Sequence, residues 1–193
     1  MKKAIKIISL LCVLIITIMM LGGCGTEPGV SKNQTDFTVV DEQGTVTKFL
    51  TVDNSEVVKM KETVEGFVKA LNNRSYKTIN GSEEYGYYTQ GIIDIANKQG
   101  DIAATIKVYK DNQLENSYVG LDGLKMAFNK DFTKCDITVV GKLKVTSASA
   151  AHLSSLKIGK DVVFGYDYTF KWLKQNDVWK IHSVTAANPH EIK

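Results

Sequence analysis

Five aromatic residues occupy every second position near the C-terminal end of the sequence, in the run VVFGYDYTFKWLKQNDVWKIHSV at residues 162–184. A period of two places alternate side chains on opposite faces of a β-strand. The polar residues 175–177 predict a turn, after which Trp179 and Ile181 again share a face. Burying one large side chain contributes about 1.5–3 kcal/mol, so the aromatic face should lie at the centre of the fold. Its members are Phe164, Tyr166, Tyr168, Phe170 and Trp172.

The clearest helix is predicted over residues 53–71. Apolar residues recur there at steps of three and four, which is the spacing of one buried helical stripe. We expect Asp53 to cap the first amides with Glu56 reaching back three residues later, and residues 72–73 to end the helix. The stripe consists of Val57, Met60, Val64, Phe67, Val68 and Leu71.

Three further regions complete the secondary-structure prediction. Residues 36–52 contain two β-rich runs around a polar turn, which favours a hairpin. Residues 75–111 have the pattern of short helices broken at residues 80–81 and 99–100. From residue 115 the period changes to two, with interior glycines that predict bulges or bends. We therefore expect an α+β fold over residues 53–193, with N-terminal helices packed on a curved antiparallel sheet.

The first 24 residues have the layout of an export signal. A basic start at residues 1–6 precedes 15 mostly apolar residues at 7–21, fewer than the ~20 that a membrane-spanning helix needs. The sequence LGGC then follows, and it resembles the lipobox of bacterial lipoproteins, with Leu21, Gly22 and Gly23 before Cys24. The alternatives are an ordinary signal peptide or an uncleaved anchor in which Cys24 is incidental.

The lipobox resemblance implies that residues 1–23 are a signal peptide and that Cys24 is the lipid attachment site. Residues 24–35 are rich in Gly, Pro, Ser and Asn and would form a flexible tether. Acyl chains such as palmitate would then hold the protein on the extracytoplasmic face of the cell membrane. Cys12 would leave with the signal, so Cys135 would be the only unmodified thiol and no internal disulfide could form.

Charge and motifs exclude several function classes. Of the 24 Lys and Arg residues, three lie in the first six positions, and the 21 that remain equal the 21 Asp and Glu residues. A neutral domain gives no electrostatic footprint for nucleic acid. The sequence shows no metal-ligand spacing, nucleophile elbow or phosphate-binding glycine loop, so we expect no metal, no cofactor and no catalytic motif.

The order of elements over residues 53–187 is similar to the nuclear-transport-factor-2-like family, the cystatin-like α+β cone. Its most recognisable part is the last hairpin, in which Trp179, Lys180 and Ile181 follow a polar turn. The resemblance implies a curved sheet wrapped around helices and enclosing a conical pocket. Some members are isomerases or dehydratases, others bind small molecules, and many hold partner proteins, so the fold does not select a function.

Two function hypotheses follow from these observations. The favoured one is a non-catalytic binding domain that holds an envelope protein or a small ligand, with a homodimer through the open sheet face as a further expectation. The other is a small-molecule carrier or an isomerase- or dehydratase-like pocket enzyme, with Asp94 as base and Tyr109 or Tyr168 as hydrogen-bond donor to the oxyanion. The residues expected to line the pocket are Tyr88, Asp94, Tyr109, Phe164, Tyr166, Tyr168, Phe170 and Trp172.

Overall fold

The computed structural model describes residues 36–157, 159–187 and 189–192, so the signal peptide, the lipobox and the whole tether lie outside the described residues. Within them, helices pack on one face of a curved sheet, which confirms the predicted α+β class. The helices are α1 (Ser55–Asn72), α2 (Gln90–Gln99), α3 (Asp101–Asp111) and α4 (Ala150–Leu156), with a 3-10 turn at Tyr85–Tyr87. The strands are β1 (Phe37–Val40), β2 (Val46–Phe49), β3 (Glu115–Asn129), β4 (Lys134–Ser147), β5 (Val163–Gln175), β6 (Val178–Ala186) and β7 (His190–Glu191).

The sheet is mixed, whereas the sequence predicted a wholly antiparallel sheet. Its strand order is β2-β1-β3-β4-β5-β6, with β7 paired to β5. β1 runs parallel to β3, in a register that places Phe37 opposite Met126, while the other strand pairs are antiparallel. Parallel neighbours need a long connection, and here β2 and the helices α1 to α3 supply it.

The aromatic hairpin forms as its period predicts. Gln175 pairs with Val178 across a two-residue turn, in which Asn176 and Asp177 have φ of 50° and 60°. Positive φ at both positions is the geometry of a type I′ turn, whose twist matches that of the flanking strands. Four of the five aromatic side chains on β5 are buried on the face that carries the helices, which we call the inner face, and Tyr166 is half-buried.

The N-cap of helix α1 lies one residue later than predicted. The side chain of Asn54, and not that of Asp53, accepts hydrogen bonds from the backbone N–H groups of Glu56 and Val57, at 3.0 and 3.4 Å. A cap must directly precede the first helical residue, and that residue is Ser55. The predicted end is confirmed, since α1 stops at Asn72.

Phe67 fills the middle of the space between α1 and the inner face. Its ring meets those of Phe170, Tyr88 and Trp172 edge to face, with centroid distances of 5.3, 5.6 and 6.2 Å. Phe67, Phe170 and Trp172 are almost completely buried. This part of the domain is therefore packed core.

Interior glycines have two roles in the sheet. Gly120 has φ of 156° and lies where the β3–β4 register shifts, so it marks the predicted bulge. Gly141 lies in regular β4, and a Cβ there would come within 2.7 Å of the Tyr168 ring and 2.8 Å of Val68. The glycine in β4 therefore allows a close approach between strand and helix and not a bulge.

Candidate functional site

A cavity of about 120 Å³ lies beside the packed centre, between the end of α1, the start of α3 and the inner face of β3 to β5. Aromatic and apolar side chains form much of its wall. Several polar side chains also reach it from separate elements. These polar residues are Asn72, Arg74, Glu84, Asp101, Asn116 and His152.

Arg74 is the most deeply buried cation beside the cavity, with a side chain only 2% exposed. Its Nε lies 3.3 Å from Oε2 of Glu83, and its guanidinium forms a second ion pair with Glu84. Burial raises the pKa of Glu83, but the backbone N–H of Asn80 and the charge of Arg74 together hold that pKa below its usual value. The charge of Arg74 is thus matched within the protein.

Two amide–phenol pairs border the cavity. Asn72 Nδ2 donates to the Tyr168 hydroxyl at 3.2 Å and to the Val68 carbonyl at 2.9 Å. Asn116 Nδ2 donates to the Tyr109 hydroxyl, also at 3.2 Å. The Oδ1 atom of Asn116 is buried and has no hydrogen-bond partner among the atoms that the structure describes. One strong acceptor therefore remains unused at the cavity wall.

Three further polar groups around the cavity have incomplete partners within the described chain. The Tyr85 hydroxyl and His152 Nε2 are buried without a hydrogen-bond partner, and Asp101 makes no ion pair. Burial lowers the pKa of His152 and raises the pKa of Asp101. Burial also raises the pKa of Tyr85, with the nearby Asp101 carboxylate adding to the effect.

The aromatic residues expected in the pocket divide into two groups. Tyr88, Phe164, Tyr166 and Tyr168 line the cavity. Three others do not reach it: Tyr109 is fully buried behind Asn116, and Phe170 and Trp172 belong to the packed centre around Phe67.

Asp94 does not line the cavity, which corrects the expectation that it points inward. Its side chain is exposed, and Gln90 Nε2 donates to its carboxylate at 2.8 Å. The buried side of α2 is formed by Ile92 and Ala96. Position 94 is rotated by about 200° from position 92, so its side chain faces away from the sheet.

Few of the polar residues at this site are predictable from sequence patterns. Asn72 continues the buried stripe of α1 four residues after Val68, so its position was available from the helical period. His152 lies in the short helix α4, where Ser149 Oγ accepts a hydrogen bond from its backbone N–H. Arg74 lies in irregular chain after α1, where no periodicity applies.

Neither Asp94 nor Glu84 offers a free carboxylate to the cavity. The carboxylate proposed as base is exposed, and the buried carboxylate of Glu84 is occupied by Arg74. Across the described ranges, no three His, Cys, Asp or Glu side chains cluster as a metal site. Cys135 is buried in the core, and burial raises the pKa of its thiol well above the usual value.

The comparisons with known proteins identify no family. No family model matches the chain, and no curated protein matches it. Among solved structures, a similar one is the crystal structure of an IcmL-like type IV secretion system protein from Legionella pneumophila subsp. pneumophila str. Philadelphia 1. The two are 11% identical, and the match covers 70% of this chain and 94% of the other, with a TM-score of 0.44.

Proposed function

We propose that the chain is an exported lipoprotein, held on the extracytoplasmic face of the cell membrane by a lipid on Cys24. The observation that carries this proposal is the order of a basic start, a 15-residue apolar run and the sequence LGGC at residues 21–24. In the portion of the chain that the structure covers, no helix has the length and apolar character needed to cross a membrane.

The tether sets how far the folded domain stands from the membrane. The 12 residues from Cys24 to Thr35 span at most about 40 Å when extended. A flexible chain of that length has a root-mean-square span of about 20 Å. Such a tether raises the local concentration of the domain near envelope partners, so modest affinity suffices for binding.

The domain itself is proposed to bind without catalysis. Phe67 fills the centre against Phe170 and Trp172, and the cavity beside it, at about 120 Å³, is well below the roughly 300–1,000 Å³ of ordinary ligand pockets. Two larger clefts, of about 390 and 360 Å³, lie away from the polar residues of this cavity. The edge strand β2 supports contact with a protein. All four of its residues are exposed, including Val46 at 45% and Phe49 at 55%.

Fractionation and cross-linking in intact cells test the two parts of this proposal. We expect the wild-type chain in the membrane fraction and Cys24→Ala released from it or retained as an unprocessed precursor. A photoreactive residue in place of Phe49 should trap one recurrent envelope protein. The same residue in place of the exposed His182, in β6 at the opposite edge of the sheet, serves as the control.

Wild-type protein that fractionates as soluble would contradict the anchor. Identical cross-linking patterns from positions 49 and 182 would contradict a specific protein contact through β2.

A further inference from the structure

The cavity contains an acceptor that the folded chain leaves unused. Asn116 is only 8% exposed, and its Oδ1 atom has no partner in the described structure. Its Nδ2 atom donates to the Tyr109 hydroxyl at 3.2 Å. A buried acceptor without a donor is costly. The atom thus favours an occupant that brings an N–H or O–H group.

The charges around the cavity favour a cation. Arg74 is matched by Glu83 and Glu84, whereas the partly buried carboxylate of Asp101 makes no ion pair with any side chain in the described ranges. Burial lowers the pKa of His152, so this residue is neutral near pH 7 and supplies no balancing charge. The polar wall therefore carries an excess of negative charge.

The size and the aromatic wall restrict the occupant further. A cavity of about 120 Å³ is slightly smaller than the ~150 Å³ apolar cavity that accommodates benzene, which limits the occupant to about five or six heavy atoms. Rings of Tyr85, Phe164 and Tyr166 form part of the wall. The face of an aromatic ring attracts an organic cation.

We propose that this cavity is a binding site for a small organic ammonium ion. An N–H of the ammonium group donates to Asn116 Oδ1, the Asp101 carboxylate balances the charge, and the short alkyl part packs on the aromatic wall. The site goes beyond the proposed envelope anchoring and does not require it.

Titration of the purified full chain in detergent with three ligands of three carbon atoms each tests the proposal. The ligands are n-propylammonium, n-propanol and propionate, and binding is followed by chemical-shift changes in amide NMR spectra. A ligand of four heavy atoms cannot bind more tightly than tens of micromolar, so concentrations from about 10 µM to 50 mM cover the useful range. We expect saturable binding of n-propylammonium, with the other two at least about tenfold weaker.

Three variants show whether the named residues hold the ligand. Asp101→Asn keeps the side-chain shape but removes the charge, which should lower the affinity for n-propylammonium about fivefold. Asn116→Asp places a carboxylate at the position of the unused acceptor and should strengthen the binding of n-propylammonium. Asp94→Asn removes an exposed carboxylate on α2, outside the cavity, and should leave the affinity unchanged.

The proposal is overturned if n-propylammonium gives no saturable shifts, if propionate binds equally well, or if Asp101→Asn and Asp94→Asn have the same affinity. Because these titrations use purified protein, their outcome is independent of membrane attachment. A failed cation site and a failed lipid anchor are thus separate results.

Discussion

Replacing Arg74 by methionine should destabilise the domain more than removing any surface ion pair. Methionine has similar length but no charge, so the change removes both ion pairs while filling much of the same space. Glu84, whose side chain is only 10% exposed, would keep a buried carboxylate with no cation beside it. Glu83 would remain next to it as a second negative charge.

The size of the effect follows from this burial. Removing one partner of a buried ion pair costs about 3–5 kcal/mol because the remaining charge is left uncompensated. The double variant Arg74→Met with Glu84→Gln removes that charge as well and should recover a large part of the loss. Lys77→Met is the matched control, since it removes an exposed pair with Glu115 at 3.8 Å and should cost about 0–1 kcal/mol.

Equilibrium urea denaturation measures these free energies of unfolding. With a denaturant slope of about 2 kcal/mol per M, a loss of 4 kcal/mol lowers the midpoint by about 2 M. If Arg74→Met and Lys77→Met shift the midpoint equally, or if Glu84→Gln gives no recovery in the double variant, the reasoning from burial is refuted.

Three further predictions concern the core and the surface. Phe67→Ala should lower the free energy of unfolding, measured by urea denaturation, by about 3–5 kcal/mol. Val58→Ala, on the exposed side of α1, should lower it by less than about 1 kcal/mol. Similar losses in the two variants would show that the centre is not packed. Cys135 should resist iodoacetamide in the native chain and react after unfolding, as read by peptide mass spectrometry; rapid native labelling would contradict its burial. Burial raises the pKa of Glu56, but Lys174 Nζ, 2.7 Å away, holds it below the usual 4.5, so this pair stabilises the fold above pH 4.5 and its contribution is lost as the pH falls further. Melting temperatures from pH 7 to 3 should therefore fall less in Lys174→Met than in the wild type, and equal slopes would contradict the assignment.

Local periodicity predicted the helix and the strands that bury one face. Alternation identified the β5–β6 hairpin, and steps of three and four identified α1, because each pattern depends only on neighbouring residues. The same arithmetic, applied to Ile92 and Ala96, also places Asp94 on the outer side of α2. The expectation that Asp94 lines the pocket therefore conflicts with the helical phase set by Ile92 and Ala96.

Features that depend on distant partners were not predictable. The parallel pairing of Phe37 with Met126 joins residues that are far apart in the chain, and nothing in either short segment specifies the direction. The ion pair of Arg74 with Glu84 forms across irregular chain between α1 and α2. The unused acceptor at Asn116 follows from how these parts meet, so only the folded structure shows it.

Intact-mass analysis of the native protein, extracted from membranes with detergent, is the direct test of lipid attachment at Cys24. We expect a chain that lacks residues 1–23, begins at Cys24 and carries the mass of a diacylglyceryl group on that residue. A full-length chain, or a cleaved chain with an unmodified Cys24 thiol, would contradict it.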